Sequence, residues 1–184
     1  MAARPVFGQG VYYVTSRGTI FHTVIYEYYD EEEEYYSLLK SGHHRGEERR
    51  LKKTMQELLS NDRVVVNGKQ VTPQVIDARI ETRGYKNLSS TTFHIVMNYE
   101  PLEGRNVLEV FYAPVKTEYG YVIDWVLDEC MEIIEVETDG IVESSKKTAR
   151  VRVKRGERLK GYESLVFKIG KCRKTGETAT SQMS

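Results

Sequence analysis

Residues Ala149 to Lys154 read Ala-Arg-Val-Arg-Val-Lys, apolar and basic in strict turn. A β-strand sends successive side chains to opposite faces, so Ala149, Val151 and Val153 are expected to face a core while Arg150, Arg152 and Lys154 form a basic row. Arg155, Arg158 and Lys160 extend that row. Cations in line suit a phosphate backbone, and aromatic rings beside them suit unpaired bases. Arg150, Arg152, Lys154, Arg155, Arg158 and Lys160 are therefore the candidate site for single-stranded DNA or RNA. The chain has thirteen tyrosines, and Tyr112, Tyr119, Tyr121 and Tyr162 are candidate stacking groups. Ordinary sheet packing with a wet hydroxyl explains the same tyrosines.

The formal net charge of zero hides a segregation. From Thr117 to Glu143 there are nine acidic residues and no Lys or Arg, whereas Lys146 to Lys174 holds twelve basic residues against Glu157 and Glu163, a net +10. Such blocks either fold against one another or face different partners. If Met131–Thr138 pairs with Thr148–Lys154, Ile134 and Val136 share a buried face with Val151 and Val153, and Glu135 and Glu137 lie opposite Arg150 and Arg152. Arg155, Arg158, Lys160, Lys168, Lys171, Arg173 and Lys174 still exceed the facing glutamates. The competing reading is a protein-interaction or self-assembling module with no nucleic-acid ligand. It would use opposed charge patches, open strand edges or an amphipathic helix, and its partner would be another protein or a homo-oligomer.

Catalytic chemistry finds less support. His43-His44 are adjacent, so they point in different directions, and two ligands do not make a metal site. His22 and His94 stand alone within strand-like runs. Asp124, Asp128 and Glu129 fit no specific acid–base spacing. Gly8-Gln-Gly10 lacks the third glycine and the strand–helix context of a dinucleotide fingerprint. Cys130 and Cys172 match no metal spacing. The expectation is a non-catalytic binding protein with no catalytic residue, cofactor or metal ligand assigned.

The elements that must position these residues follow from periodicity. Gly10–Ser16 and Thr19–Tyr29 around Arg17-Gly18 suggest a β-hairpin. Asp30 with Glu33 resembles a capping box opening a short helix through Tyr35, Leu38 and Leu39, ended by Gly42. Leu51, Met55, Leu58 and Leu59 share one face of a helix over Glu47–Ser60, with Glu48 and Lys52 as an i,i+4 pair. From Asp62 onward short strand-like runs follow, beginning with an Asn67-Gly68 hairpin. In Val75–Arg83, Ile76, Ala78 and Ile80 should share a face. Phe93, Ile95, Met97 and Tyr99 should do so in the next run, and Tyr119 through Leu127 in a later one.

The predicted fold is α+β and mainly antiparallel β, an N-terminal β-hairpin and one or two helices beside a β-sandwich or barrel. Residues 1–61 would hold the hairpin and helices, within the same core or beside it. Residues 62–170 would form the sandwich, and 171–184 a polar disordered tail. No apolar stretch is long enough for a transmembrane helix, so no membrane partner is expected. Two distant cysteines and no leader-like segment suggest a reduced, cytoplasmic protein. The Glu, Lys, Arg and Val bias resembles heat-adapted proteins.

Overall fold

A computed structural model describes residues 3–171. From residue 172 onward the expected tail lies outside the described residues. In chain order the elements are β1 (Arg4–Val14), β2 (Thr19–Tyr29), α1 (Glu34–Ser41), α2 (His44–Leu59), β3 (Arg63–Val66), β4 (Lys69–Val71), β5 (Gln74–Thr82) and β6 (Leu88–Asn98). Then come β7 (Gly104–Phe111), β8 (Val115–Lys116), β9 (Gly120–Leu127), β10 (Met131–Glu137), β11 (Ile141–Ser144), β12 (Thr148–Val153), β13 (Arg158–Leu159) and β14 (Tyr162–Ile169). A seven-stranded sheet runs β11-β12-β9-β1-β2-β6-β5, a five-stranded sheet runs β10-β14-β7-β3-β4, and β13 pairs with β8. This is the expected mainly antiparallel α+β sandwich with its N-terminal hairpin. One pairing departs from that pattern: β1 and β9 run parallel. The hairpin thus sits mid-sheet, between β9 and β6. No helix among the described residues is long and apolar enough to cross a membrane.

Two layers cover the inner face of the large sheet. The five-stranded sheet packs Val66, Leu108, Met131, Leu165 and Phe167 against Val14, Ile20, Trp125, Leu127 and Val151. Helix α2 covers the other half, setting Met55 among Val75, Ala78, Phe93 and Ile95. Its polar side chains also occupy the outer edge of β5. Lys52 Nζ donates to the Ile76 carbonyl at 2.8 Å, and the Ile80 N–H donates to Glu48 Oε1 at 3.2 Å. Gln56 bonds to the same edge through both ends of its amide. Glu48 and Lys52 therefore reach for the strand, where an i,i+4 pair was expected. This orientation turns Leu58 outward, 58 % exposed.

Local irregularities explain other departures. A bulge between Val75 and Asp77 shifts the alternation, so Ile76 is exposed while Val75 joins Ala78 and Ile80 inside. The Asp30 carboxylate accepts the Tyr35 N–H at 2.8 Å, but Glu33 sits in a left-handed conformation without a side-chain cap bond, so the capping box does not form. His43 and His44 are the cap and first residue of α2. Asn67 and Gly68 both have positive φ, as a type I′ turn requires.

The proposed pairing of Met131–Thr138 with Thr148–Lys154 is overturned. β10 pairs with β14 in the small sheet, and β12 lies between β9 and β11 in the large one. A bulge between Ile133 and Glu135 leaves Ile134 exposed, and the Thr138–Gly140 turn carries the chain across to the other sheet. Cys130, in the β9–β10 turn, is disulfide-bonded.

Candidate functional site

β12 places Ala149, Val151 and Val153 in the core, and leaves Arg150 and Arg152 on the outer face. Half of the predicted cations are already matched there. Arg150 donates twice to Asp124, its cross-strand partner on β9, at 2.6 and 2.8 Å. Arg152 lies 3.4 Å from Glu143 on β11. Lys160 pairs with Asp139 at 3.0 Å, and the Asp139 carboxylate also accepts the Lys160 N–H, which holds its pKa below the usual aspartate value. The acidic and basic blocks do meet, but through Asp124, Asp139 and Glu143 in place of Glu135 and Glu137.

Lys154, Arg155 and Arg158 have no carboxylate within ion-pair distance among the described residues. Arg155 lines an open cleft of about 670 Å³ with Arg4 and Lys116. Tyr119, Thr117 and Glu118 complete much of its wall. Arg158 and Lys116 are direct cross-strand partners on β13 and β8. Like charges directly opposed on a ribbon are destabilising unless something anionic lies over them. Thr117 secures the turn that carries Arg155: its hydroxyl donates to the Lys154 carbonyl at 2.7 Å, and its carbonyl accepts the Gly156 N–H. Arg4 and Lys116 carry no signal in the sequence because they lie far from the basic block; Lys116 meets it through the β8–β13 pairing, and Arg4 is carried to the same cleft by β1, the neighbour of β9.

All four candidate tyrosines are half-buried: Tyr112, Tyr119 and Tyr121 on the inner side, Tyr162 beside Phe111 on the outer face of the small sheet. Tyr112 donates to Glu163 at 3.4 Å, Tyr162 donates to Glu109 at 3.2 Å, and Tyr119 packs edge-on to Tyr26. His22, Tyr12 and Trp125 form a continuous stack, with centroids 3.6 and 3.9 Å apart. Burial drives the His22 imidazole down to about 3, so it is neutral throughout the physiological range. Gly8 and Gly10 make this layer possible. A Cβ at Gly10 would lie 3.3 Å from His22 Nε2, and one at Gly8 would lie 3.2 Å from Tyr121 Cβ. The Gly-Gln-Gly spacing therefore serves ring packing.

Glu163 projects into this tyrosine layer. Burial raises its pKa, while bonds from Thr138 (3.1 Å) and Tyr112 oppose the rise. Tyr12 and Tyr121 hydroxyls are held in their neutral form, chiefly by burial and then by the Glu163 charge.

The exposed rings are others: Tyr85 and Phe7, and, on the outer face of the large sheet, Tyr13 and Phe21, 42 % and 49 % exposed. Their signal in the sequence was alternation itself, because Tyr12 and Tyr13 are neighbours and must point to opposite faces. The carboxylates weighed as a catalytic pair are otherwise engaged. Asp124 holds Arg150, and Asp128 accepts the Ser16 hydroxyl at 2.8 Å, which lowers its pKa. His94 is exposed and shares a hydrogen bond with Thr23. No group of three or more His, Cys, Asp or Glu among the described residues is arranged to hold a metal ion.

No family model matches this chain, and no curated protein does. Among solved structures, it aligns with a chain described as a putative protease from Parabacteroides distasonis, at 7 % identity and a TM-score of 0.32. The alignment covers 90 % of this chain and 40 % of that one. At that score the likeness carries no argument about fold or activity.

Proposed function

We propose that this protein is a non-catalytic binding module for a polyanion, with single-stranded nucleic acid the ligand that best fits the cleft of Arg4, Lys116 and Arg155. The observation that carries this reading is the Lys116–Arg158 cross-strand pair. Two cations held side by side, with Arg155 and Arg4 on the same cleft and no carboxylate of the described residues in ion-pair contact, fit a surface that meets phosphate. Tyr119 supplies a ring in the wall, and base stacking on such a ring is worth roughly 1–3 kcal/mol. Of the residues first assigned, Lys154, Arg155 and Arg158 stay in the proposal. Arg150, Arg152 and Lys160 leave it, because an anion would have to displace Asp124, Glu143 and Asp139.

The test is a fluorescence anisotropy titration with a labelled single-stranded oligonucleotide of about twelve nucleotides, RNA and DNA in turn, at two salt concentrations. Binding should weaken with salt, and Lys116→Ala with Arg155→Ala should reduce both affinity and salt slope, by about one unit of slope per lost contact. Arg150→Ala should leave the slope unchanged. Absence of salt-sensitive binding, or full affinity in the double variant, ends the proposal.

A further inference from the structure

The large sheet has a second face. Its inner side is covered by the small sheet and the helices, while no element of the described residues lies over its outer side. On that side Val126, Tyr13, Phe21 and Val96 are successive cross-strand partners over β9, β1, β2 and β6. They make one apolar row, with Tyr13 and Phe21 standing proud as a ridge. Ile25 and Val11 continue the apolar character along β2 and β1. Beside the ridge lies a shallow hollow lined by Val11, Asp124, Val126, Thr148 and Arg150.

We infer that this face binds a second copy of the chain, sheet against sheet, across a two-fold axis. Three observations select that occupant. First, ridge and hollow lie side by side on one surface, and a two-fold places the ridge of each copy over the hollow of the other. Second, the flanks are charge-neutral. Arg150 is matched to Asp124 on one side and Arg79 to Asp77 on the other. A polyanion gains little from such flanks, whereas an identical face meets no net repulsion. Third, the size is sufficient. Seven strands spaced about 4.8 Å apart and roughly eight residues long give on the order of 800 Å², which matches the roughly 800 Å² per partner of stable interfaces. Aligned sheet packing at about −30° is the geometry such faces adopt. The cationic cleft is formed by the chain around Arg4, Lys116 and Arg155, apart from this ridge, so dimerisation and anion binding are independent claims.

Sedimentation equilibrium of the full chain, over about 1–300 µM at moderate salt, reads the outcome directly. Wild type should show a concentration-dependent dimer. Phe21→Glu and Tyr13→Ser should each weaken it by about tenfold or more, because central aromatic residues dominate such contacts. Both positions are exposed, so circular dichroism should show an unchanged fold. Lys116→Ala should dimerise like wild type. A chain that stays monomeric over the whole range overturns the inference, even if the face then takes up a lipid vesicle or another protein. So does a dimer indifferent to both ridge substitutions.

Discussion

Gln56 supplies β5 with the hydrogen bonds that a neighbouring strand would otherwise provide. Its Oε1 accepts the Val75 N–H at 2.9 Å, and its Nε2 donates to the Pro73 carbonyl at 3.0 Å. With Glu48 and Lys52 at i−8 and i−4, this column of side chains closes one edge of the large sheet. Bare edges invite pairing with other chains, so the closure also suppresses aggregation.

Gln56→Ala should therefore cost about 1–3 kcal/mol, the penalty for leaving part-buried backbone groups unpaired. Urea unfolding measures this, and the variant should also scatter more light on prolonged incubation. An unchanged midpoint would show that water replaces the amide without penalty.

Glu163 gives a pH prediction. Its folded pKa is raised above the ordinary 4.5, first by burial, so the folded state holds a proton more tightly than the unfolded chain. Its contribution is fully present below the unfolded value and is lost as pH rises through the raised folded value. Glu163→Gln keeps an acceptor for Tyr112 and Thr138 and removes the charge. Relative to wild type, the variant should gain stability as pH climbs from about 4 to neutrality. Parallel stability curves for the two proteins would refute the assignment. The difference between them is the quantity to read, because Asp128, Glu100 and Asp139 are shifted down and pull the whole-protein curve the other way.

Gly161 and Gly84 separate close approach from conformation. Both have positive φ, near 90° and 84°. A Cβ at Gly161 would sit 2.2 Å from the Tyr112 carbonyl oxygen, whereas at Gly84 it would meet nothing within 4 Å. Gly84→Ala should cost roughly 1–2 kcal/mol for the left-handed backbone alone. Gly161→Ala should cost clearly more, because Tyr112 must retreat and weaken its N–H bond to the Gly161 carbonyl. Equal thermal midpoints for the two variants would contradict this.

Much of the architecture was readable from alternation. Phe93, Ile95, Met97 and Tyr99 are all buried, as their period demanded, and Ala149, Val151 and Val153 line the core. The Asn67-Gly68 turn followed from its dipeptide alone. Bulges defeated the same logic at Ile76 and Ile134, because one inserted residue reverses every later side chain and carries no compositional mark. Strand order was beyond reach for a related reason. Glu135 and Asp124 are equally plausible partners for Arg150 by charge, and only the sheet topology selects Asp124. At the candidate site, Arg155 and Arg158 came from the basic block, while Arg4 and Lys116 arrive by tertiary assembly. Tyr112, Tyr121 and Glu163 reveal their shared environment only once both sheets are in place.

The side-by-side run of β1 along β9 also sets a timetable for biogenesis. During translation the first hairpin leaves the ribosome well before Gly120–Leu127, its neighbour on one flank, has been synthesised. At about 5–20 residues per second, the intervening ninety-odd residues impose a delay of roughly 5–20 s. Throughout that interval the Phe7–Val14 backbone is paired on one side only, by β2. Nascent chains of this protein are thus most vulnerable to misassociation early, and slowing elongation before Leu127 should lower the yield of native material.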